Sequence, residues 1–176
     1  MHVKAVVLNS KKTALGAIFE QEINLHKGVG AKIAIDKEPH PAYNAGGKDA
    51  LINGISGNNK RYGDREWLGF SGEDIEITIE FNKPTNINSI ATRFFNGNGQ
   101  WIYPPKKVTV YINDDIRTYV ADISVTNDLT AKFAVKFESI TVTSIRLKIP
   151  SYGIIPVGKQ GAGHKPWTFI DEIIIK

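Results

Sequence analysis

The sequence predicts an all-β sandwich, and three observations carry that expectation. Ile75-Glu76-Ile77-Thr78-Ile79-Glu80-Phe81 alternates apolar and polar residues along its whole length, as a strand with one buried face must. Asn88 to Phe95, Val108 to Asn113, Arg117 to Ile123, Lys132 to Phe137 and Ile140 to Ile149 are further short segments rich in β-branched and aromatic residues. No ten-residue helical pattern lies between them to carry parallel crossovers.

Turn chemistry separates the strands at Asn82-Lys83-Pro84, Asn96-Gly97-Asn98-Gly99, Asn113-Asp114-Asp115 and Thr126-Asn127-Asp128. The single plausible helical turn, Lys48 to Ile52, follows Gly46-Gly47 and stops at Asn53-Gly54, and is expected to be too short to pack on its own. Upstream, Val3 to Leu8 and Ala17 to Ile23 read as a hairpin across Lys11-Lys12-Thr13. Gly28-Val29-Gly30 then breaks the chain before a strand at Ala31 to Asp36. A lone hairpin is marginal in water. The start enters a strand abruptly, without the core or cleavage region of a signal peptide. Residues 1–25 are therefore expected to be the tail of a preceding domain, and residues 26–176 the sandwich. Trp167 to Lys176 reads as its closing strand.

A chain of 176 residues can bury a sizeable core without disulfides. The absence of cysteine removes disulfide frameworks, thiolate zinc sites and cysteine nucleophiles together. The net charge of +4 comes from scattered lysines and arginines, whereas a nucleic-acid binder concentrates them on one face, so no nucleic-acid partner is expected. No stretch approaches the roughly 20 apolar residues of a membrane span.

Candidate chemical motifs mostly resolve to structure. In Gly158-Lys159-Gln160-Gly161-Ala162-Gly163-His164-Lys165 a histidine stands in the lysine slot of a phosphate loop and a strand follows, leaving a surface loop able to frame a ligand. Adjacent Asp171 and Glu172 point to opposite faces of a strand and so cannot flank one scissile bond. Both faces are otherwise apolar, so a carboxylate near the core needs either an oxygen-ligand metal or backbone amides and an arginine. His2, His26, His40 and His164 have no metal-binding spacing, and no serine sits in a nucleophile elbow. Trp67, Trp101 and Trp167 each sit beside apolar residues at a strand edge, either packing there or presenting an indole face to a sugar ring.

The runs Tyr43-Asn44-Ala45-Gly46-Gly47, Ala50 to Gly57 and Trp67-Leu68-Gly69-Phe70 together resemble the opening of discoidin-type (coagulation factor type C) modules. With Trp101-Ile102-Tyr103-Pro104-Pro105 and Trp167 to Ile173 they resemble the version appended to bacterial family 20 β-hexosaminidases. The resemblance covers about His26 to the end, and the initial hairpin is similar to the end of the small β domain that precedes this module. It implies a galactose-binding-like jelly roll related to carbohydrate-binding module family 32, on the carboxy-terminal side of an exported enzyme (periplasmic, outer-surface or secreted). Its expected role is to hold that enzyme near glycan without catalysing anything itself, the alternative being a domain that packs on the catalytic barrel. The partners implied are a terminal hexose or hexosamine and the preceding domains of the parent enzyme.

The resemblance also implies a structural calcium, with Asn53, carbonyls from Ala50 to Ser56, and Glu172 as ligands. Asn53 stands where the family favours aspartate, which takes one ligand charge away. The family's sugar site lies on loops at one end of the sandwich. By chemistry and loop position the candidates are Arg61, Tyr62, Arg93, Asn96, Trp101 and His164.

Overall fold

The computed structural model describes residues 1–113, 117–125 and 129–176. The expected turn at Thr126-Asn127-Asp128, and Asp114-Asp115 of the preceding one, lie outside these residues. The strands are β1 (His2–Ala5), β2 (Phe19–Glu22), β3 (Lys32–Ile35), β4 (Leu68–Ser71), β5 (Ile75–Phe95), β6 (Lys107–Ile112), β7 (Arg117–Asp122), β8 (Ser124–Val125), β9 (Thr130–Ile149), β10 (Trp167–Ile170) and β11 (Ile174–Ile175). The chain folds as an antiparallel β-sandwich, as the sequence predicts.

Its frame is the long antiparallel ribbon of β5 and β9. The first half of β5 pairs β3 and the last part of β9, which continues to β6 and then β7. The second half of β5 pairs β10, β11 and the first part of β9, which carries β8; β10 in turn pairs β4. The ribbon therefore contributes to both layers. Asn82-Lys83-Pro84, expected as a chain reversal, instead lies within β5, where the register with β9 shifts between Glu80 and Thr85. Pro84 has no N–H for a ladder, and an irregular register is where a strand tolerates it. The same correction joins Lys132 to Phe137 and Ile140 to Ile149 into one strand, with a second shift opposite Ile87 and Ser89.

Alternation decides which residues enter the core. Ile75, Ile77 and Ile79 are buried while Glu76, Thr78 and Glu80 face outward, where Glu76 pairs with Arg146 at 3.1 Å. They meet Val108, Val110 and Ile112 of β6, Ile145 and Leu147 of β9, and Ile90 and Phe94 from the second half of β5 in one apolar cluster. A second, aromatic cluster joins Trp67, Phe95, Ile102 and Phe169, with Tyr43, Tyr62 and Trp167 packed against it.

Two further expectations change. The turn at Lys48–Ile52 is a 3₁₀ helix that does pack, burying Ala50, Leu51 and Ile52. The closing strand is not continuous: it breaks between β10 and β11, where Asp171 and Glu172 are both buried. There Ile173 N–H donates to Leu51 O at 2.6 Å and leaves the sheet ladder.

β1 and β2 form a two-stranded sheet of their own, shorter than expected, extended by a bridge between Leu8 and Ala14. The Asn9 carboxamide closes the turn by accepting the N–H groups of Lys11 and Thr13, both at 2.9 Å, with Lys12 at φ 58°. The hairpin meets the sandwich where Asn24 N–H donates to Gly54 O at 2.7 Å.

Ile79 is fully buried in the main apolar cluster. Ile79→Ala is expected to cost about 2–5 kcal/mol, read as a lowered urea midpoint at unchanged m-value.

Candidate functional site

The break in the closing strand sets two buried carboxylates side by side, each with its own partners. Asp171 Oδ2 accepts from Arg93 Nε at 3.0 Å, from Arg93 Nη2, and from Gly57 N–H at 3.0 Å. Arg93 also donates through Nη2 to Gly57 O at 2.8 Å and through Nη1 to Asn59 Oδ1 at 2.5 Å. Four of its five N–H groups are thereby engaged. Its guanidinium sits 5.5 Å from the Trp67 ring centroid, and Trp67 Nε1 donates to Asn58 O at 3.0 Å. Gly57 has to be glycine: a Cβ there would meet Trp67 Cδ1 at 2.7 Å. Burial outweighs these favourable contacts and pushes the Asp171 carboxyl up to about 6, with Arg93 and the Gly57 N–H pulling down and Glu172 adding to the rise.

Glu172 is held differently. Its Oε1 accepts from His26 Nε2 at 2.5 Å and from Gly54 N–H at 2.9 Å. His26 Nδ1 accepts the N–H groups of Gly28 at 3.1 Å and Ile175 at 3.3 Å, so the ring proton belongs on Nε2, facing the carboxylate. Asn53 Oδ1 is turned to Ile55 N–H at 2.7 Å, and its Nδ2 to Glu66 at 2.7 Å. Ser56 is exposed, and Ala50 is buried in the 3₁₀ helix. Calcium needs several oxygens converging on one point, whereas Oε1 of Glu172 and Oδ1 of Asn53 both face N–H donors. Glu172 Oε2 is buried without a protein partner, yet no group of three or more His, Asp or Glu side chains able to hold a metal occurs among the described residues. The donors around Oε1 of Glu172 do not fit the expected ion, since the His26 imidazole and the Gly54 N–H occupy that oxygen.

The six expected sugar contacts do not gather in one place, though Trp101 and His164 stack on each other. Arg93 is the half-buried partner of Asp171 just described. Tyr62 packs edge-on against Phe95 and Phe169, at 5.6 and 5.2 Å between centroids, and is a packing side chain rather than a free sugar contact. Arg61 is exposed on the loop before it. Asn96 follows β5, and its N–H donates to Leu129 O at 2.8 Å. Trp101 (38% exposed) stacks on His164 at 4.7 Å, and its left-handed backbone, φ 61°, turns it out of the aromatic cluster. Gly161 lies against it at φ +82°, where a Cβ would come within 2.8 Å of the indole.

Around Arg93 the structure instead forms a cleft of about 380 Å³, lined by Gln21, Glu22 and Asn24 on one side and Ser56, Asn58 and Asn59 on the other. The polar run Asn58-Asn59, just ahead of Arg61, was the local signal for one wall. The other wall had none, because the hairpin reaches it only through tertiary contact.

The fold is shared with solved lectin modules. The lectin domain of lectinolysin, complexed with Lewis B antigen, is 12% identical over 88% of this chain and 98% of that one, with a TM-score of 0.55. A Streptococcus pneumoniae fucose-binding module is 11% identical over 86% and 94%, with a TM-score of 0.54. At such identities the likeness is one of fold. No family model matches the chain, and no curated protein does. No helix among the described residues is long and apolar enough to cross a membrane.

Two outcomes follow from the carboxylates. The folded Asp171 carboxyl titrates near 6 against 3.8 when unfolded, so between those values the folded state binds more protons. Its contribution is present below about pH 4 and lost as the pH rises through about 6, roughly 3 kcal/mol in all. A carbon-13 NMR titration of the Asp171 carboxyl checks this, and a midpoint near 4 would contradict it. For Glu172, thermal unfolding in excess EDTA and in millimolar calcium is expected to agree within about 1 °C, since an ion bound only by the folded state raises the midpoint.

Proposed function

We propose that this chain is a non-catalytic carbohydrate-binding module, and that the polar cleft around Arg93 receives the sugar. The observation that carries this is the cleft itself. It concentrates amides, a hydroxyl, a carboxylate and one uncommitted guanidinium N–H, the groups that hydrogen-bond sugar hydroxyls, between the hairpin and the sandwich. The lectin modules of the same fold were solved as binders of fucose or of Lewis B antigen, which supports a terminal hexose, deoxyhexose or hexosamine here. The resemblance to modules appended to β-hexosaminidases supports a parent enzyme that is an exported glycoside hydrolase. In that setting the module raises the effective concentration of enzyme at glycan. The cleft and the His26–Glu172 contact support a module that works without calcium.

A second reading rests on a different observation. Val7, Leu8, Leu15, Ile18 and Phe19 of the hairpin region are each at least half exposed. So much apolar surface on a two-stranded sheet fits residues 1–25 belonging with a preceding domain, the sandwich then acting as a packing partner.

Calorimetric titration with galactose, N-acetylgalactosamine, N-acetylglucosamine and fucose tests the first reading. Saturable binding of at least one, with Kd in about the millimolar range or tighter, is expected, and Ser56→Ala should weaken it about fivefold. No binding at millimolar sugar would leave only the packing reading.

A further inference from the structure

The cleft has two walls of different chemistry, and one of them comes from outside the sandwich. On the sandwich wall Asn58 and Asn59 use their carboxamide oxygens inside the protein, Asn58 Oδ1 accepting from Lys60 N–H at 2.8 Å and Asn59 Oδ1 from Arg93. What remains toward a ligand includes the two Nδ2 groups, the last Nη1 N–H of Arg93 and the Ser56 hydroxyl. The hairpin wall adds an anionic acceptor. The exposed Glu22 carboxylate makes no hydrogen bond or ion pair with another described residue, although Glu20, two residues earlier on the same strand, is taken by Lys4 at 2.6 Å and His2 at 3.4 Å. Gln21 donates one Nε2 N–H to Glu22 O at 3.0 Å, and its Oε1 is an acceptor beside Glu22.

We infer that the hairpin is half of the binding site, and that its ligand is a neutral saccharide presenting vicinal hydroxyls across the cleft. This rests on the carbohydrate-binding reading above. A hydroxyl both donates and accepts, so one hydroxyl donates to Glu22 while its neighbour accepts from Asn58, Asn59 or Arg93. The charge of Arg93 is already matched by the buried Asp171. Glu22 therefore leaves an excess negative charge, which turns away carboxylated or sulfated sugars. No aromatic residue lines the cleft, so the ligand is gripped by its hydroxyl edges and not by stacking. Affinity then depends on both walls being present. The wall is positioned by Asn24 N–H on Gly54 O, and by Ile23, whose side chain lies 3.0 Å from where a Gly54 Cβ would stand.

The test uses the full chain with methyl galactoside, methyl fucoside and N-acetylglucosamine, read by calorimetry and by amide chemical shifts. Glu22→Ala and Asn24→Ala should each weaken binding about fivefold or more, with thermal midpoints unchanged. Glu20→Ala, outside the cleft, should stay within about twofold. The amides of Gln21, Glu22 and Asn24 should shift together with those of Asn58 and Asn59, and galacturonate should bind worse than galactose. If sugar binds but the Glu22 and Asn24 variants bind as well as the unaltered chain, and the hairpin amides stay still, the hairpin wall is wrong and binding by the sandwich stands. If the unaltered chain binds no sugar, the underlying function fails, and this inference with it.

Discussion

The ion pair between Arg93 and Asp171 is the constraint around which this end of the sandwich is built. It joins the second half of the long strand β5 to the break between β10 and β11, and through the Gly57 backbone it holds the loop that follows the 3₁₀ turn. A buried ion pair gains little over an apolar replacement, but removing one partner leaves an uncompensated charge. Burial pushes the Asp171 carboxyl up even with Arg93 in place, so desolvation remains the larger effect. Such a pair is better understood as fixing geometry than as supplying stability. What it fixes is the floor of a polar cleft, and the guanidinium contributes to that floor while committed almost entirely inward.

The neighbouring carboxylate solves the same desolvation problem by other means. Glu172 faces an imidazole N–H and a backbone N–H, and His26 is in turn oriented by two backbone N–H groups at its other nitrogen. The contact ties the residues just before the sandwich to its last strand and to the Asn53–Gly54 turn. Family resemblance implies a cation at this place. Among the described residues, Glu172 Oε1 and Asn53 Oδ1 each accept N–H groups instead.

Much of the fold was legible because its physical cause is local. The period-two burial of Ile75, Ile77 and Ile79 can be read one residue at a time, and so can the hairpin turn that Asn9 closes. Other features were hidden because local signals point the wrong way. Asn82-Lys83-Pro84 carries turn chemistry but sits in a register shift, since the pairing of β5 with β9 on both sides holds the strand on course. Trp167 to Lys176 looks like one strand, yet ladder hydrogen bonds there yield to the needs of two buried carboxylates. Of the candidate site, Arg93 was named for its hydrogen-bonding chemistry, and most of its N–H groups serve Asp171, Gly57 and Asn59. Tyr62 was a plausible loop aromatic until Phe95 and Phe169 closed on it, and Trp101 and His164 found each other.

By itself the sequence determined the class of the fold, the buried face of Ile75, Ile77 and Ile79, and the presence of two carboxylates that had to be satisfied. These follow from alternation, turn chemistry and the cost of burying charge, all of which act over a few residues. Only the tertiary structure decided which partner each carboxylate received, because Arg93 and His26 lie 78 and 146 residues away along the chain. It likewise decided where a ligand has room to bind. The cleft exists because a separate hairpin is pinned beside the Ser56 to Asn59 loop, and no local pattern encodes a wall made from two distant segments.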